Sequence, residues 1–192
     1  KSVTIPDTIT SIGGVAFDDS GLVSVTIPDS VTQIDEQAFI YVGNMKSVRL
    51  PNSITHLPRQ GFYKDALESV VIPQSVVFIG AEGFARNRIE TIDIPSGVTR
   101  LEPNAFTDNK IKTLTLSPRG HITVGGGAFA INQLEEVYLN TSQTMALGEQ
   151  VFSLNPSLTV ENVYFHKDIF IIGVTNTTDF GDLINVKCSN MN

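Results

Sequence analysis

Apolar and polar positions recur along nearly the whole chain with a period of 22 or 23 residues, far longer than the repeat of any helix or strand. Most units open on an aliphatic residue: Leu22, Met45, Leu67, Ile89, Ile111 and Leu134. Three positions later comes a pair in V-x-I spacing, as in Val25 and Ile27, Val48 and Leu50, Val70 and Ile72, Ile92 and Ile94, Leu114 and Leu116, and Val137 and Leu139; Val3 and Ile5 are the first such pair. The alternation predicts a short strand with one face inward. Proline follows the pair at Pro6, Pro28, Pro51, Pro73 and Pro95. It has no amide hydrogen to give a ladder, so it marks the strand's end. Further on, Ile12, Ile34, Leu57, Ile79, Leu101, Val124 and Leu147 each stand five residues before a phenylalanine: Phe17, Phe39, Phe62, Phe84, Phe106, Phe129 and Phe152. Alanine or glycine precedes these rings everywhere except at Val151, as expected where a coil is crowded. Asn87, Asn109, Asn132 and Asn155 lie three residues after theirs, where a side-chain amide satisfies loop backbone groups.

One such unit cannot bury its own apolar face, so the units must stack. The expected product is a β-dominated, right-handed coil. V-x-I strands about 4.8 Å apart form a parallel sheet on one face. Short coil, turn or 3-10 segments form the other, and the phenylalanines make a spine. Seven phenylalanine-anchored coils, the first truncated, fill residues 1–158, leaving 159–192 as a degenerate last repeat and cap. Within that stretch Val160, Val163 and Phe165 suggest an eighth strand with Tyr164 pointing outward. Residues 168–192 lack the repeat and are expected to cover the open sheet edge, an exposed template for pairing. The chain opens inside a repeat, so it is expected to be an excised part of a longer protein.

The run from Val25 through Thr26, Ile27, Pro28, Asp29, Ser30 and Val31 to Ile34, closed by Ala38 and Phe39, resembles the BspA-like class of leucine-rich repeats. Val70–Pro73 followed by Ile79 and Gly80, and Ile92–Pro95 followed by Ala105 and Phe106, carry the same pattern. The resemblance covers residues 1–158 and implies a leucine-rich-repeat solenoid. It also implies a surface or secreted protein of bacterial or protozoan type, engaged in adhesion to host matrix, host cells or other microbes. The family has no fixed binding motif, so no functional residue is carried over. Unit six, with Ser117 where proline stands elsewhere, and unit seven, with Asn140 there, depart from the pattern.

Charge narrows the partners. With 13 basic and 20 acidic side chains the net charge is -7, so binding gains nothing from counterion release on phosphates. Nucleic acid and anionic membrane are therefore not expected partners, and no segment reaches the roughly 18 apolar residues of a membrane span; the longest apolar run, Ile169, Phe170, Ile171 and Ile172, reads as a strand. Cys188 is the single cysteine; it has no internal disulfide partner and no metal-ligand neighbour.

Candidate chemistry mostly dissolves into the repeat. Gly125, Gly126 and Gly127 lack the Lys and Ser/Thr of a phosphate loop and sit where Gly80 sits in its own unit, so a tight coil turn is expected. His56, His121 and His166 fall at different phases of the repeat and support neither a metal site nor a triad. Lys64, Arg86, Arg88 and Lys110 are open to clustering on one coil edge, more as a solvated edge than as an anion site. No catalytic residue, metal or cofactor is expected.

Recognition is expected on the outward face of the V-x-I sheet. One outward row, Ser2, Ser24, Ser47, Ser69, Thr91, Thr113, Glu136 and Asn162, is nearly uniform hydroxyl. The adjacent row opens with Thr4 and Thr26, then varies along the array and supplies the candidate protein-binding residues: Arg49, Val71, Asp93, Thr115, Tyr138 and Tyr164. Tyrosine and arginine are common binding anchors. The expectation is a non-catalytic protein-binding module of a cell-surface or secreted protein, taking a host matrix or cell-surface protein as ligand. The alternative is a passive stalk displaying another domain.

Overall fold

A computed structural model describes residues 1–172 as a parallel β-solenoid with no α-helix among the described residues. Strands are numbered along the chain. The even ones are the V-x-I segments: β2 (Ser24–Thr26), β4 (Ser47–Arg49), β6 (Ser69–Val70), β8 (Thr91–Asp93), β10 (Thr113–Leu116), β12 (Glu136–Leu139) and β14 (Val163–Phe165). The odd ones hold the second aliphatic position: β1 (Ser11–Ile12), β3 (Gln33–Ile34), β5 (His56–Leu57), β7 (Phe78–Ile79), β9 (Arg100–Leu101), β11 (Ile122–Val124), β13 (Thr144–Leu147) and β15 (Phe170–Ile172). Even strands pair only with even and odd only with odd, always in parallel, so each coil contributes one strand to each of two ladders.

The even ladder is the expected sheet, with pairings such as Val25↔Val48 and Leu114↔Val137 in register. Proline sets its width. Where proline follows the pair, strands are two or three residues long; where Ser117 and Asn140 replace it, β10 and β12 extend to four. Asn140 uses its amide to donate to the Leu116 carbonyl at 2.8 Å, a bond proline cannot make.

The odd ladder occupies part of the face expected to be coil and turn. Its two-residue strands alternate one outward and one buried residue. Each phenylalanine lies beyond it in a turn, and the amides of the first six donate to the carbonyl of the residue before the next phenylalanine, as from Phe62 to Gly83 at 2.9 Å and from Phe84 to Ala105 at 2.9 Å. These bonds hold coils together where the ladders break, between β3 and β5 and between β6 and β8.

The core is continuous from coil to coil. Seven phenylalanine rings stack face to face from Phe17 to Phe152, with centroids 4.7 to 6.2 Å apart and planes within 15° of parallel. The asparagine row sits beside the spine. Asn109 accepts the Ile89 amide at 3.1 Å and donates to the Phe84 and Phe106 carbonyls at 2.9 and 3.2 Å, so one side chain ties two successive coils. The glycines mark close backbone approach, as expected for Gly125. A Cβ on Gly80 would fall 2.5 Å from the Arg59 nitrogen, and one on Gly125 would fall 2.4 Å from that of Pro103.

Past residue 158 both ladders continue. Val163–Phe165 form β14 on β12 with Tyr164 exposed, while Val160 lies in a single 3-10 turn, Val160–Asn162, outside the strand. Within the stretch expected to cap the sheet, the strand expected over the apolar run at Ile169 to Ile172 forms as β15, Phe170–Ile172, and pairs with β13 as an eighth rung. The remainder of that stretch, with Cys188, lies outside the described residues.

Candidate functional site

The candidate row lies on the outward face of the even ladder. Pairing brings Tyr138 beside Thr115 and Tyr164, and Thr115 beside Asp93. The register Ser47↔Ser69 and Val48↔Val70, continued one residue, sets Val71 beside Arg49. The inward neighbours on these strands are buried, except Phe165, which is partly buried. What faces out is therefore what core packing leaves free to vary.

Arg49, Val71 and Asp93 form the first half of the row. Val71 is 82% exposed, the most open of the large apolar side chains among the described residues. It stands between two grooves: one is lined by Arg49, Asn52 and Pro73, the other by Gln74, Asp93 and Pro95. An apolar knob is thus flanked by a cation on one rung and an anion on the next. Arg49 is not free in space. Its guanidinium donates to the Asp29 carboxylate at 3.2 and 3.3 Å and to the Ile27 carbonyl at 3.2 Å. Asp29 also accepts the Asn52 amide at 2.8 Å; that bond, then the Arg49 guanidinium, holds its carboxyl below the usual range. Proline position and register could not reveal this support from Asp29 and Asn52, because it depends on where the Asp29 and Arg49 side chains reach between neighbouring coils.

Tyr138 and Tyr164 form the other end. Their rings stack with centroids 4.7 Å apart and planes 13° from parallel, giving a two-ring apolar plate on the sheet. Loss of hydration first, then the charge and hydrogen bond of Glu136, raise the Tyr138 phenol above its ordinary value. Thr115, partly buried, links this plate to Asp93. The candidate residues thus lie along one face, as an apolar knob with charged flanks and an aromatic plate.

Other features stay apart from it. Lys64 lies over the Tyr41 ring at 5.4 Å and Arg86 over Tyr63 at 5.7 Å, on the turn side. His56 packs against Phe78 at 5.5 Å on the odd ladder, forming with Arg100 a second variable outward row that the sequence pattern did not single out. Its signal is present in the column Ser11, Gln33, His56, Phe78, Arg100, which changes at every coil. Among the described residues no group of three or more His, Cys, Asp or Glu converges to hold a metal, and no helix is long and apolar enough to cross a membrane.

Comparison with known proteins gives two matches and one blank. The family described as the BspA type leucine rich repeat region matches in six copies, over residues 1–112 and 55–177. Leucine-rich repeats of this kind commonly mediate protein interactions and are generally non-catalytic, and BspA-like members are typically surface or secreted proteins. The crystal structure of a leucine-rich repeat protein from Bacteroides ovatus ATCC 8483 superposes with a TM-score of 0.50 at 18% identity, over 86% of this chain and 66% of that one. This chain therefore spans just under two thirds of that protein, and at such identity the likeness carries the fold alone. No curated protein matches the chain. With the repeat legible in the sequence, the two-ladder coil built from it and the family model matching across most of the chain, the protein belongs to the BspA type leucine rich repeat family.

Proposed function

We propose that this chain is a non-catalytic, protein-binding module of a cell-surface or secreted protein, acting in adhesion. Its binding residues are Arg49, Val71, Asp93, Thr115, Tyr138 and Tyr164, and its ligand is a host matrix or cell-surface protein. The observation that carries the reading is the Tyr138–Tyr164 stack on the outward face of the even ladder. A preformed aromatic plate loses little side-chain freedom on binding, which is why tyrosine and arginine dominate binding hot spots. The Val71 knob between its two grooves supplies apolar contact at the centre of the same row. A row spread along a sheet face suits a protein ligand better than a small molecule, which needs most of its surface enclosed.

A passive stalk is the second reading, favoured by one observation: the charged head of Arg49 is engaged within the chain by Asp29. Immobilised extracellular-matrix proteins, tested one by one by biolayer interferometry, separate the two. A binding module gives saturable binding to at least one, and Tyr138→Ala with Tyr164→Ala weakens it at least tenfold. A stalk binds none, and unchanged binding by the double variant places the site elsewhere.

A further inference from the structure

The residue three positions after each spine phenylalanine is asparagine in the four coils from Phe84 to Phe152, and in each its carboxamide is fully used. The Oδ1 accepts a backbone amide of the preceding coil, and the Nδ2 donates to carbonyls of the spine turns. In the coil of Phe62 that position is Asp65. The carboxylate has two acceptors and no donor where asparagine has one of each. Oδ1 has partners, accepting the Val42 amide at 2.9 Å, but Oδ2 is buried without any. A buried ion with an unmatched oxygen is costly, whereas a neutral acid carries a hydroxyl in the place of the asparagine N–H.

We propose that Asp65 is held as the neutral acid, its Oδ2 hydroxyl standing in for the asparagine amide of the row, and that its ionisation is a built-in pH-sensitive joint between the second and third coils. The joint matters beyond itself. Asp65 clamps the Val42 turn, which leads through Met45 into β4, the strand that carries Arg49.

Burial is the leading cause that pushes the Asp65 carboxyl up to about 7, against the opposing pull of the Val42 and Gly43 amides. The charged and titratable groups of the turns packed around it are Tyr41, Lys46, Tyr63, Lys64, Glu68, Arg86 and Arg88; Tyr63 is partly buried, the others are exposed, and none is a cause of the shift. Lys46 pairs with Glu68 at 3.1 Å, while Lys64 and Arg86 lie over tyrosine rings. The folded chain therefore keeps a proton that the unfolded chain releases near 3.8. The contribution of Asp65 to stability is complete below 3.8, falls as pH rises toward about 7 and is flat above it.

The test compares thermal unfolding of the wild type, Asp65→Asn and Asn87→Asp across pH 3.8 to 8, with infrared difference spectra of wild type minus Asp65→Asn at pH 6. The proposal expects Asp65→Asn to melt progressively higher than wild type as pH rises to about 7, with a constant gap beyond. It expects Asn87→Asp to gain a second pH-dependent loss, and the wild type to show a protonated-carboxyl stretch that the Asp65→Asn variant lacks. A gap independent of pH, absence of that stretch at pH 6, or failure of Asp65→Asn to fold would overturn it. The last counts because asparagine is what the four later coils carry.

Discussion

At the residue scale, each coil reverses direction through two residues in the left-handed region. One stands two positions before the phenylalanine, as Gln60 and Glu82 do, and one two positions after it, as Lys64, Arg86 and Ile131 do, with φ between 52° and 59° at these sites. Only one of these positions, Gly127 at 65°, uses the residue best suited to it. Left-handed backbone costs an ordinary side chain about 1–2 kcal/mol, and a β-branched one is the least suited. Ile131 is such a residue, with φ 55° and its side chain 46% exposed, so little packing is lost when it is replaced. Ile131→Asn is expected to raise stability by about 1 kcal/mol in urea titration, because asparagine tolerates this conformation. A loss of stability would mean that the isoleucine packs more than its exposure indicates.

At the scale of the element, the ladder of stacked phenylalanines ties coil to coil. Phe84 is fully buried with a ring on either side, at 5.2 and 5.3 Å, whereas Phe17 is only partly buried and has the Phe39 ring at 4.7 Å. Phe84→Ala is expected to cost about 3–5 kcal/mol. Phe17→Ala is expected to cost clearly less, since less buried surface and one stacking contact are lost. Chemical denaturation of the two variants checks this, and equal losses would contradict a spine built by successive stacking. Legibility divides along the same elements. The V-x-I strands and the phenylalanine spine were readable because their residues repeat in register at positions where only an apolar side chain fits. The odd ladder was not, because a strand of two residues such as His56–Leu57 shows one buried and one variable position, too short for alternation to register. β15 was legible as a strand from its apolar run, but not as a rung of this ladder: Phe170 is exposed and Ile171 only partly buried, so the inward pattern that marks other rungs is weak there. Asp65 escaped notice because its place in the asparagine column matters only once that column is known to be buried.

At the scale of the whole molecule, a solenoid assigns roles by face. The interior is committed to coil stacking, the spine side to turns and the asparagine row, and the outward face of the even ladder is left to vary. The candidate row was legible as a set of variable positions, and its alignment follows from strand pairing. The Tyr138–Tyr164 stack and the Asp29 hold on Arg49 were not, since both depend on side-chain geometry between coils. Whether this face binds is the claim on which the functional account turns. Beads coated with the chain, settled on matrix-coated surfaces and on epithelial monolayers and then washed under flow, test it most directly. Val71→Asp combined with Tyr138→Ala is expected to abolish retention of the beads. Ile131→Asp combined with Leu154→Asp, two exposed changes on the turn side, should leave retention intact. Retention that survives the first pair, or is lost with the second, would contradict a binding face on the even ladder.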